Sequence, residues 1–198
     1  MTTPVLTVGH STRTLEEFLD LLADAEVGIV VDVRRLPGSA RYPHFDEDPL
    51  RDALAQRGID LRRLPALTGR RPVQRDVPPT TNGWWEHRSF HNYADWTLSS
   101  DFRAGLAELR DLRDSAAAHG RTVALMCAEA VWWRCHRRLI ADQLLARGEP
   151  VVHLMAPGQA RPAALSPGAV LHPDGTLTYP APDSTTGTTG TTEETPHP

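Results

Sequence analysis

Apolar residues follow two alternating patterns along this chain. Short unbroken runs occur at Val5 to Gly9, Ile29-Val30-Val31-Asp32-Val33, Thr122 to Met126 and Val151-Val152-His153-Leu154. Between them, apolar positions recur every three or four residues. The runs read as buried strands and the periodic stretches as amphipathic helices. Leu15, Phe18, Leu19 and Leu22 share one face behind Thr14-Leu15-Glu16-Glu17, a capping box with Thr14 as N-cap. Asp48-Pro49 opens a second helix that ends at Gly58, ahead of a strand from Ile59 to Leu64. Phe102, Leu106, Leu109 and Leu112 mark a third helix from Ser99 or Ser100 to Gly120, and a fourth spans about Val131 to Arg147. Gly28, Gly58, Gly120 and Gly148 each stand where a helix gives way to a strand. The alternation predicts an α/β fold: a three-layer, mostly parallel sheet with helices on both faces, Rossmann-like in plan. Asp174-Gly175, between Ala169-Val170-Leu171 and Thr176-Leu177-Thr178, predicts a small C-terminal β-hairpin appended to that sheet.

These elements form a single α/β domain over residues 1–180. Residues 65–97 read as a long polar loop rich in Pro, Arg, Trp and His, the profile of a lid or binding loop. Residues 181–198 are nearly all Thr, Gly, Pro, Ser and acid, and predict a disordered low-complexity tail. The whole chain has 198 residues and a net charge of −4. It lacks the basic excess that favours a nucleic-acid partner. No apolar run reaches membrane-spanning length. All 21 basic residues are Arg. Without Lys there is no pyridoxal-phosphate Schiff base and no Walker-type ATP site. Gly-His-Ser after the first strand is not an NAD fingerprint. Two cysteines without an export signal predict free thiols in a reducing cytoplasm.

Ligands of open parallel sheets bind outside the carboxyl ends of the strands. There the first strand delivers His10, Ser11 and Thr12, and the second delivers Asp32, Arg34 and, farther on, Ser39. The third leads toward Arg70. The fourth is followed by Cys127 and Glu129, then by Cys135, His136 and Arg137. Cys127 at a strand end facing a helix N-terminus is a candidate thiolate nucleophile, and Glu129 a candidate catalytic carboxylate or helix cap. His10 suits acid/base work. Asp32 in an apolar strand calls for a partner, with Arg34 the obvious one. Cys135, set within the predicted helix, reads equally as a packed core thiol. Any metal would recruit Cys127, Cys135 and His136, with His10 as a further candidate. That reading is disfavoured here. Cys-x7-Cys-His is not a standard zinc spacing, and consecutive residues on a helix point about 100° apart.

Thr7-Val8-Gly9-His10-Ser11, Asp32-Val33-Arg34 with Pro37 and Ser39, and Cys127-x-Glu129-x5-Cys135-His136-Arg137 together resemble the domain of unknown function 488 family. The resemblance runs from about Val5 to Leu154. It departs at Leu67-Thr68-Gly69-Arg70, where Leu-Gly-Gly is expected. It implies an α/β fold and a shared polar site, but no established reaction. The residues favour a small-molecule enzyme, a hydrolase or group transferase; the resemblance implies only that they share one site. The enzyme's substrate would be a small anionic molecule, with a nucleotide as one candidate. Cys127, Glu129 and His10 would do the chemistry. Ser11, Arg34, Ser39, Arg70, Cys135, His136 and Arg137 would bind the substrate. A non-catalytic ligand-sensing module and a nucleic-acid processing or binding protein are the alternatives.

Overall fold

The computed structural model describes residues 2–38 and 40–182. Ser39 and nearly all of the predicted tail lie outside the described residues. Six strands, β1 (Val5–Gly9), β2 (Val27–Asp32), β3 (Asp60–Arg63), β4 (Thr122–Cys127), β5 (Val151–Ala156) and β6 (Gln159–Pro162), form one sheet in the order β3-β2-β4-β1-β5-β6. All neighbours pair parallel except β6, which runs antiparallel to β5. The apolar core splits into two layers. Helices α1 (Leu15–Asp24) and α2 (Glu47–Gln56) cover one face of the sheet. Helices α3 (Arg88–Trp96), α4 (Ser100–Ala117) and α5 (Arg137–Leu145) cover the other. This is the predicted three-layer α/β fold.

Local signals explain most boundaries. Thr14 accepts a hydrogen bond from the Glu17 amide, while the Glu17 carboxylate accepts one from the Thr14 amide, completing the capping box. Ser99 caps α4 through the Phe102 amide. Gly120 and Gly148 take left-handed φ values of 67° and 74° where helix turns to strand.

Other boundaries differ from the sequence reading. Gly28 lies inside β2, and the left-handed turn after α1 is made by Glu26 (φ 50°). The second helix begins at Glu47, with Asp46 in the cap position. Pro49 therefore stands third in α2, still among the positions whose N–H has no helical acceptor. The predicted helix from Val131 shrinks to a 3-10 turn at Trp132–Arg134, and α5 begins only at Arg137. The Trp132 ring stacks on His153 at 4.3 Å; this tertiary contact overrides the helical periodicity. Within 65–97 lies α3, and its apolar Phe90, Tyr93 and Ala94 are masked by polar neighbours. The hairpin strands β7 (Val170–Leu171) and β8 (Leu177–Thr178) form a separate two-stranded sheet, not an extension of the main one.

The register positions the site. Gly9 pairs with Cys127, and Asp32 with Met126, so β1, β2 and β4 end at one level. Beyond that level the chain leaves β1 and β2 toward the α1/α2 face but leaves β4 toward the α5 face. Diverging connections of this kind open a crevice at the carboxyl edge of a parallel sheet.

Candidate active site

A cleft of about 490 Å³ occupies that crevice. Cys127, Cys135 and His136 line it, together with Arg34, Arg35, Arg70 and Arg134. Glu129 is its one carboxylate among the described residues, and Leu36 and Phe90 border it with apolar surface.

Arg34 is held from behind. Its guanidinium makes a forked ion pair with Asp32, Nε to Oδ1 at 3.0 Å and Nη2 to Oδ2 at 2.7 Å, with both side chains nearly fully buried. Its Nη1 lies 3.4 Å from His10 Nε2. His10 Nδ1 lies 3.2 Å from the Ser11 carbonyl, so a neutral ring donates from Nδ1 and accepts at Nε2. The ring also stacks on Phe45 at 4.2 Å. Burial first, and the Arg34 charge second, lower the His10 pKa to about 4. His10 thus supports Arg34 and is absent from the cleft lining. Ser11 takes a left-handed φ of 51° and donates its amide to the Ala128 carbonyl, also behind the lining.

The thiols meet at the cleft floor. Cys127 Sγ and Cys135 Sγ are 3.0 Å apart. His136 Nδ1 is 3.6 Å from Cys135 Sγ, and Arg137 Nε is 3.4 Å from the same sulfur. Arg137 is buried and also donates from Nη2 to the Glu129 carbonyl at 2.6 Å, which ties the ends of the 129–137 loop. Cys135 is extended (φ −129°, ψ 145°) and lies outside any α-helix, so its side chain turns back toward Cys127. The hydrogen bond shared with Cys135, in which Cys127 keeps the proton, followed by burial, pushes the Cys127 thiol up. Burial pushes Cys135 up as well, but the Cys127 hydrogen bond and the Arg137 charge outweigh it and bring Cys135 below its ordinary value. Close backbone approach is built in: a Cβ on Gly9 would lie 1.9 Å from the Glu129 carbonyl oxygen, and one on Gly69 2.8 Å from His136 Nδ1.

The structure therefore brings Arg34, Arg70, Cys127, Glu129, Cys135 and His136 to one cleft. His10, Ser11 and Arg137 stand behind it. Glu129 is exposed at the rim, not at a helix N-terminus as predicted. Arg35 and Arg134 join the lining as neighbours of expected residues; among the described residues neither they nor Arg70 make an ion pair. Trp85 is buried against Phe90 and Tyr179, and the half-buried Trp84 meets it edge-on; neither lines the cleft.

The two buried histidines set a pH dependence. His153 bonds Thr7 Oγ1 at 2.7 Å, and burial, with a smaller contribution from Arg137, lowers its pKa to about 4 as well. Between pH 6.5 and about 4 the unfolded chain binds protons that the folded chain does not. Stability should fall on acidification through that window and the histidine contribution should level off below it. The denaturant midpoint of wild type and His10→Gln across this range checks it. An identical slope in the variant would remove His10 as a source.

No curated protein and no solved structure matches the chain. The profile of the family described as domain of unknown function DUF488 matches residues 14–144, more than half of the chain, and covers β2, β4 and the cysteine loop. The chain belongs to the DUF488 family.

Proposed function

We propose that this protein is a small-molecule enzyme, a hydrolase or group transferase, acting on an anionic substrate bound in the cleft at the carboxyl edge of the sheet. One observation carries the reading. Three exposed arginines without ion-pair partners among the described residues, Arg35, Arg70 and Arg134, surround a floor made of two thiols and an imidazole. Uncompensated guanidiniums around a concavity favour phosphate or carboxylate. Leu36 and Phe90 on the lining suit a flat apolar portion, as in a nucleotide. The chemistry is assigned to Cys127, Cys135 and His136, with Glu129 as proton acceptor at the rim and His10 as a positioning residue for Arg34.

Anion binding is tested by thermal melts with inorganic phosphate, pyrophosphate and nucleotides. A ligand at 100 times its Kd stabilises by about 2.7 kcal/mol, or about 5–10 °C for a chain of this size. At least one of these anions should stabilise the wild type, and the triple variant Arg35→Ala/Arg70→Ala/Arg134→Ala should lose that response. The reading fails if no anion raises the wild-type Tm, or if the triple variant responds equally.

A further inference from the structure

We infer that Cys127, Cys135 and His136 form a three-ligand site for a thiophilic divalent metal ion, zinc(II) above all, with the fourth position open to the arginine-lined cleft. The donor atoms of these three residues all lie within 4.8 Å of one another. Such a cluster can close on one ion with thiolate bonds near 2.3 Å and an imidazole bond near 2.1 Å. Consecutive residues on a helix would diverge by about 100°. Cys135 and His136 do not, because Cys135 is extended and α5 starts after His136.

Two further features fit a metal better than a plain thiol pair. The His136 ring is fixed against Tyr93 at 4.9 Å, and Tyr93 is itself anchored by a 2.7 Å hydrogen bond to the Leu67 carbonyl. Arg137 Nε points at Cys135 Sγ, the kind of outer-shell donor that steadies a ligating thiolate. Two sulfurs and one imidazole nitrogen select a borderline-soft ion such as zinc over magnesium or calcium. Both sulfurs bind as thiolates, so a thiol that still carries its proton releases it on binding. The sulfurs must part from 3.0 Å to about 3.7 Å to share a tetrahedral ion, a shift of about 0.7 Å. All three ligands line the cleft, so the remaining position faces the substrate space. Three protein ligands with an open position mark catalytic zinc sites, whereas structural ones are closed.

This deepens the function proposed above, and rests on it only for the purpose of the open position. Metal binding is therefore measured on the full chain without any substrate. Reduced, metal-free protein is titrated with cobalt(II), then with zinc(II). One equivalent of cobalt should give a sulfur-to-cobalt charge-transfer band, and one equivalent of zinc should abolish it. Cys127→Ser and Cys135→Ser should lose the band, and His136→Ala should bind at least tenfold more weakly. Because a cysteine variant can fail to fold, a second readout uses wild type alone. Zinc should slow alkylation of both thiols by iodoacetamide, and a chelator should restore it. The inference is overturned if cobalt gives no thiolate band and zinc leaves alkylation unchanged. It is overturned too if folded Cys127→Ser/Cys135→Ser protein still binds one equivalent. Anion binding with no metal binding would end this inference and leave the proposed substrate class standing; the reverse result would do the opposite.

Discussion

Replacing Asp32 with Ala is expected to cost about 3–5 kcal/mol of folding stability, the range for removing one partner of a buried ion pair. Asp32 ends β2, and its carboxylate accepts both nitrogens of the Arg34 fork as well as the Arg34 backbone amide at 2.9 Å. Both side chains are nearly fully buried, so solvent screening relieves little of the loss. Among the described residues the stranded guanidinium keeps only the His10 ring nitrogen at 3.4 Å. The double variant Asp32→Ala/Arg34→Met removes the charge together with its partner and should recover most of the loss. Denaturant titration of the three proteins decides. A single-variant loss below about 1 kcal/mol would mean that the pair is as weak as a surface one.

The second large effect is on rate. Cys127→Ser and Cys135→Ser should each lower turnover of the anionic substrate at least about 100-fold, the scale on which one positioned reactive group shows. Serine is close in size but ionises far less readily and is a poor ligand for a thiophilic metal. Both thiols are buried in the α3/α4/α5 side of the core. An unpaired hydroxyl there costs about 1–3 kcal/mol, so the variants should remain folded but less stable. Thermal melts separate the two effects: a variant with a native-like transition and full turnover would remove that thiol from the chemistry.

The fold was legible where burial was two-sided. Runs such as Val30-Val31 and Val123 to Met126 are fully buried, and a continuous apolar run states that directly. Strand β6 carried no such signal, because all four of its residues are exposed. The strand-end rule located Arg34, Cys127 and the region of the cleft. It could not resolve what each side chain does there. His10 stands at a strand end like the others, yet its ring is spent on Phe45 and Arg34, contacts set by the three-dimensional fold. Residues 131–136 depart furthest from their sequence pattern. Their composition is compatible with helix, and only the stacking of Trp132 on His153 ends that option. With the helix shortened, Cys135 and His136 converge on Cys127, a geometry that spacing alone argued against.

Under the proposed function, chemistry on an anion takes place at this cluster. The most direct test incubates full-length wild type, zinc-supplemented and metal-free, with a pool of phosphorylated and carboxylated metabolites, beside Cys127→Ser/Cys135→Ser. Mass spectrometry then follows the pool. The account predicts that at least one anion is consumed by the wild type and that its rate falls at least about 100-fold in the variant. Thermal stabilisation by an anion with no loss of any pool member would contradict it and make the protein a sensor; equal consumption by the variant would place the chemistry elsewhere.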